Sequence, residues 1–389
     1  MKRVSLFSVI ILLVMTGCGG NKQSTDDFIT VDVTQRYPQK ELILQDFMDV
    51  EYIVLETNED FITQGVVMDD GKEIIVVRNR VQDGYILIFD RKTGKGLRKI
   101  NRRGQGPEEY IVYLSGGFFL DEENAEIFVN DGIRFSFIVY DLYGNFKRKI
   151  RYEEGVFILN SFNYDKNNII CEEMDPLDSS FDGLNPFYLI SKQDGSTKSL
   201  KIHFTKYIPT QLMIKNEDGI PIGGSSTLNC LIVPFQNDLV LTQPSSDTVF
   251  RYLPDHTMLP FIVRTPSIQS MNPEIFLFPG VLTDRYYFMQ SVKKVYDFTK
   301  QEGFPTIDLV YDKYEKMIYN IIVYNGDYSK KTVDMAMRAV NNETFHVTLE
   351  AYELVEAYKK GELKGRLKEI ASGLDVEDNP VIMLVKHKK

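Results

Sequence analysis

Tryptophan is absent from this sequence, and cysteine and histidine are scarce, at three and four residues. The histidines, His203, His256, His346 and His387, stand singly with no ligand-spaced partner, so no zinc motif is present. Besides Cys18, only Cys171 and Cys230 remain. Each lies in or beside an apolar run, which favours two buried thiols over a disulfide. Basic charge is also in deficit: 45 Lys and Arg face 55 Asp and Glu, a formal net charge of −10. That balance argues against nucleic acid as a partner and offers no broad polybasic surface to anionic lipid. There is no Gly-x-Ser-x-Gly elbow, no P-loop spacing and no EF-hand loop. No catalytic residue, cofactor or metal site is therefore expected.

Long apolar runs are missing too, except at the start of the chain. Lys2 and Arg3 precede Leu6 to Met15, an apolar stretch that fits a secretory leader and falls short of the roughly 18 residues a spanning helix needs. It ends in Met15-Thr16-Gly17-Cys18, which resembles the bacterial lipobox. Residues 1–17 read as the leader and Cys18 as the lipidated residue, since several acyl chains hold a protein on a bilayer essentially permanently. Gly19 to Asp27 is polar and Gly-rich, so residues 18–28 read as a flexible tether. The expected location is the cell envelope, lipid-anchored to the outer membrane, with the membrane face left open. Residues 29–389 hold 43% hydrophobic and 12% aromatic composition in common with the whole chain, ample for a large core.

A repeated unit fills that remainder. Strand-like apolar runs end at Asp90 (ILIFD), Asp141 (FIVYD), Ser191 (FYLIS), Tyr252 (TVFRY), Asp312 (DLVYD) and Lys386 (IMLVK). After each of the first five come a turn and a second apolar run, as in Asp90 to Gly94 followed by GLRKI. Asp bonds forward to its own backbone and Gly tolerates positive φ, so each pair is a β-hairpin. Two further short strands precede most hairpins, such as GVVMDDGKEIIVV before Asp90. Four antiparallel strands per unit, repeated, is a propeller signature. One such blade cannot cover both of its faces, and six stacked round an axis can.

The fold class expected is all-β: a six-bladed β-propeller of four-stranded antiparallel blades, with short helical insertions in the last blades. The sixth unit ends near the C-terminus and leaves no outer strand, while Val50 to Glu56 (VEYIVLE) has no unit of its own. An exposed outer edge is a liability, so Val50 to Glu56 is predicted to pair with Val381 to Val385 and close the ring. Before that last run, Ala351, Leu354, Val355 and Tyr358, then Leu363, Leu367 and Ile370, have helical spacing. Gly361 and Gly365 should split them into two helices, and Gly373 should stop the second. A second irregular stretch, Ser270 to Thr299, is expected to carry a short helix around NPEIFLFPG and to sit as a rim insertion.

With its lipobox, VEYIVLET (Val50 to Thr57), ILIFDRKTGKGLRKINRRGQGPEEY (Ile86 to Tyr110) and terminal DNPVIMLVK (Asp378 to Lys386), the chain resembles the TolB-like six-bladed β-propeller lipoproteins of unknown function. The resemblance spans nearly all of the mature chain, with GQGPEEY its most specific element. Glu108 stands where Gly is commoner in relatives. The resemblance implies a membrane-anchored, non-catalytic protein, often encoded beside exported peptides or TonB-dependent uptake systems.

The most conspicuous loop is Arg102-Arg103-Gly104-Gln105-Gly106-Pro107. Two cations and glycine amides suit an anionic ligand; the plainer alternative, and the favoured one, is a blade-to-blade crossover stiffened by Pro107. Acidic pairs at Asp69-Asp70, Asp121-Glu122-Glu123 and Glu172-Glu173 each adjoin a turn, where solvated carboxylates are expected anyway. Tyr286-Tyr287-Phe288 and Tyr207 are the aromatics best placed for a glycan. The reading that follows is a lipid-tethered, non-catalytic scaffold for a protein or peptide partner. A metal-dependent, lactonase-like hydrolase in the central channel and a glycan-binding module are the alternatives.

Overall fold

A computed structural model describes residues 28–80, 83–111, 117–174, 186–336 and 344–388; Cys18 and the leader lie outside them. Six sheets follow one another round an axis. Blade one runs Val66–Asp70, Ile74–Arg78, Tyr85–Asp90 and Gly96–Asn101. Blade two is Phe118–Asp121, Glu126–Asp131, Ser136–Asp141 and Phe146–Arg151. Blade three is Ile158–Asn163, Asn168–Glu173, Phe187–Ser191 and Thr197–Leu200. Blades four and five begin at Ile232–Phe235 and Ile275–Leu282 and end at Met258–Thr265 and Met317–Tyr324. All ladders within these blades are antiparallel.

In blades one to three the third strand reads as an apolar run because both of its faces are covered. In Tyr85–Asp90, Ile86 and Ile88 join a core with Phe118, Ile127 and Ile138 of blade two. Leu87 and Phe89, pointing the other way, pack on Ile382 and Leu384 of blade six. The period of two along a strand thus divides its side chains between two neighbours. Among the described residues there are six such cores, one for every junction between blades.

The ring closes as the sequence predicts. Val381–His387 pairs antiparallel with Met48–Val54, from Val381 opposite Val54 to His387 opposite Met48, and Thr344–Leu349 flanks its other side. The preceding N-terminal segment holds a feature the repeat does not announce. Ile29–Asp32 adds a parallel fifth strand to blade four, and Gln39–Ile43 adds one to blade five. The segment therefore straps blades four, five and six in turn before becoming the outermost strand of the last.

Turns between third and fourth strands latch onto the preceding blade. Gly94 and Gly195 have φ of +71° and +75°, and a Cβ on either would come within 1.8 Å of a carbonyl oxygen, that of Val54 or Arg151. Only glycine meets both requirements. The helices form at Ala351–Lys359 and Gly365–Ala371, with Leu354 and Leu367 fully buried. Tyr358 departs from the expected buried stripe, being 38% exposed, and Ala357 takes the inward position.

The expected helix in Ser270 to Thr299 is absent. Apart from a single 3-10 turn at Ile268–Ser270, this stretch supplies the first two strands of blade five, Ile275–Leu282 and Tyr286–Lys293. Phe276 and Phe278 turn to one core while Leu277 turns to another, the alternation of a strand covered on both faces. Cys171 and Cys230 are both buried, and burial pushes the Cys171 thiol up.

Candidate functional site

The Arg102 to Pro107 loop crosses from blade one to blade two, and the loop supplies its own anion. The Gly106 amide donates to the Glu109 carboxylate at 2.8 Å, and a Cβ on Gly104 would lie 2.0 Å from that same carboxylate. Arg102 donates from Nε to the Gly144 carbonyl at 2.8 Å, and the Tyr110 hydroxyl reaches the Gly84 carbonyl at 2.5 Å. Arg134 of blade two donates to the carbonyls of Gly106 and Glu109, and the Tyr140 hydroxyl to that of Glu108. The loop is pinned from both blades and forms the crossover between them. Glu108 engages through its carbonyl, which any residue offers, so its departure from the commoner Gly costs nothing here.

Other sequence candidates are also tied down. Asp70 is paired with Arg91 at 2.8 Å and accepts the Thr344 hydroxyl; burial pushes its carboxyl up against these partners. Asp121 is paired with Lys192 across blades two and three at 2.6 Å; burial opposes its ionisation, yet the ammonium holds it below the usual range. Glu172 accepts the Asn160 amide, and Glu173 is pushed up to about 7 by burial while accepting the Tyr188 hydroxyl at 3.3 Å. Among the described residues, no three His, Cys, Asp or Glu side chains stand close enough to share a metal ion. Tyr286, Tyr287 and Phe288 are 5%, 7% and 1% exposed, in the second strand of blade five rather than on a surface; Tyr207 is partly exposed beside Phe204.

A cavity of about 380 Å³ lies against the crossover, lined by Arg102, Gly106, Glu109 and Tyr140. Two others lie on the end of the propeller formed by the first turn of each blade. The larger, about 520 Å³, sits between blades four, five and six. Leu42 and Phe47 of the strap, Phe235 and Leu282 give it an apolar floor, and Gln236, Thr283, Asp284 and Arg285 line its rim. Phe47 is fixed by its stacking on Phe288, 5.6 Å between ring centres. Lys388 reaches the Gln45 and Asp46 carbonyls and brings the last residues of the chain to the same rim. The second cavity, about 330 Å³, opens where the first strands of blades one to four approach the axis. Both volumes fall in or at the edge of the usual range for small-ligand and side-chain pockets.

Residues 19–348 match the model of the DUF5128 family, described as a 6-bladed β-propeller. The chain belongs to this family. The family's description agrees with the six blades, and the matched range includes GQGPEEY. Among solved structures, a Bacteroides fragilis protein designated exported is similar over 93% of this chain and all of its own, at 15% identity and a TM-score of 0.62. A DUF4221 member from Bacteroides vulgatus is similar over 89% of this chain and 99% of its own, at 12% identity and a TM-score of 0.50. At such identities the likeness is one of fold. No curated protein matches the chain.

Neither end cavity was legible in the sequence. The larger draws on residues 42–47, 235–236, 282–286 and 387–388, segments that meet only because the strap and the chain's end both reach blade five. No local motif reports such convergence.

Proposed function

We propose that this DUF5128 protein is an exported lipoprotein, held in the cell envelope by acylated Cys18, that binds a protein or peptide segment without catalysis. The observation that carries the reading is the 520 Å³ cavity, lined by apolar and polar side chains and set on the first turns of blades four and five. Apolar pockets edged by a few fixed polar groups are how side chains of a partner are gripped. The carboxylates near the axis serve as blade-to-blade links, which supports binding rather than acid–base chemistry. The designation of the Bacteroides fragilis relative as exported accords with the leader read in residues 1–17.

The test is photo-crosslinking in intact envelopes, with the crosslinker placed at Asp284 on the cavity rim and, as control, at Ile133 in the turn after the second strand of blade two. A discrete adduct at Asp284 and none at Ile133 is expected. Equal labelling at both, or at neither, would contradict the reading. Metabolic labelling with an alkyne fatty acid should mark the native chain and leave Cys18→Ser unmarked.

A further inference from the structure

We propose that the axial mouth receives a basic side chain of the bound segment, a lysine or arginine lying along apolar walls with its charge at the rim. This rests on the peptide-binding reading above and names the chemistry of its partner. Met68, Leu120, Phe162, Ile170, Ile232 and Pro234 supply the walls of the 330 Å³ cavity. Long cationic side chains suit such a place, because their methylene stems bury while the head group stays at the edge.

Acidic side chains outnumber basic ones in the lining. Glu122 and Glu123 of blade two line it, and neither forms an ion pair among the described residues. Glu122 is held in place by the amides of Lys72 and Glu73 in blade one, at 2.7 and 3.1 Å. Gly71 makes that seat possible: a Cβ there would lie 2.4 Å from the Glu122 carboxylate. Backbone amides orient the carboxylate without cancelling its charge, so a fixed negative group faces the opening. Asp69 adds another carboxylate, and Lys72 is the lone cation in the lining. On the far wall the Tyr164 hydroxyl is shielded from water and has no hydrogen-bond partner. An incoming ammonium or guanidinium would meet charge complementarity at the rim and an unused oxygen on the wall.

Isothermal titration of the full chain in detergent would compare three probes: acetyl-Lys-Leu-Lys-Leu-amide and its counterparts with Gln or Glu at both Lys positions. The lysine peptide should bind at least about tenfold more tightly than the glutamine peptide and weaken as salt is raised, with no binding of the glutamate peptide. The double variant Glu122→Gln, Glu123→Gln keeps the acceptor oxygens and should lose about tenfold for the lysine peptide. Lys72→Glu, at an exposed turn, should gain about threefold. Equal binding of the lysine and glutamine peptides, or unchanged affinity in both variants at unchanged melting temperature, would overturn the inference. If Asp284 still captures a partner while the lysine peptide fails to bind, this inference falls and the binding reading stands.

Discussion

Blades one to three and blades four to six solve the same problem in different ways. In the first half, four strands suffice, and neighbouring blades are joined by turn glycines and by bonds such as Asp121 to Lys192. In the second half the N-terminal segment adds a strand to each blade in turn, and helices cover the last junction. The difference follows from where the ring must be closed. The first half can rely on contacts between adjacent units, whereas the closing blades need chain from a distant part of the sequence. That same convergence builds the larger cavity, so the half that closes the ring carries that site, while the acidic mouth draws mainly on the first half.

Removing the closing strand should break the comparison most severely. A chain lacking residues 1–54 loses the partner of Val381–His387 and exposes an apolar edge. It should fail to fold cooperatively and should aggregate. A chain lacking only residues 1–43 keeps the closing strand and should fold with a lower melting temperature, as thermal unfolding would show. In the first half, Phe128 is fully buried between blades two and three, stacked on Phe119 at 4.9 Å. Phe128→Ala should cost about 3–5 kcal/mol in chemical denaturation.

A smaller effect tests the latch. Gly94→Ala places a methyl group into the Val54 carbonyl, whereas Gly155, also at positive φ, has open space around it. Gly155→Ala should cost about 1 kcal/mol for backbone strain alone, and Gly94→Ala clearly more.

Smallest, and opposite in sign between the halves, are the pH effects. Burial opposes ionisation of Asp312, but Arg285 and Lys40 hold its carboxyl well below the usual range. Its contribution is complete above the unfolded value near 4 and is lost as pH falls below it. Glu173, pushed up to about 7 by burial, does the reverse: its folded state keeps a proton that the unfolded state has released. Stability should therefore decline between about pH 4 and pH 7. Denaturation midpoints across pH should show Asp312→Asn flattening the acid limb and Glu173→Gln flattening the decline toward neutrality.

The strand runs and Asp-Gly turns made the blades legible because each obeys a local rule of periodicity or turn chemistry. Ring closure was legible through a shortage: the last unit lacked an outer strand, and Val50 to Glu56 lacked a unit. The parallel strands Ile29–Asp32 and Gln39–Ile43 were not, since short edge strands carry little pattern of their own. NPEIFLFPG misled because a strand buried on both faces shows neither alternation nor helical spacing. At the candidate site, the Arg102 to Pro107 loop drew attention through its composition, while the bond from the Gly106 amide to Glu109, three residues on, went unread. Glu122 looked like an ordinary turn carboxylate; its seat on Lys72 and Glu73 depends on blades one and two being adjacent.

Oxidative crosslinking tests the closed ring most directly. Asp49 lies opposite Lys386 in the closing pair, and directly opposed antiparallel residues come within disulfide range. The double variant Asp49→Cys, Lys386→Cys should form a bond under mild oxidant, seen as a reducible shift in gel mobility and a higher melting temperature. Asp49→Cys paired with Glu274→Cys should form none. A folded protein in which the Asp49 and Lys386 positions stay uncrosslinked would contradict closure by the N-terminal strand.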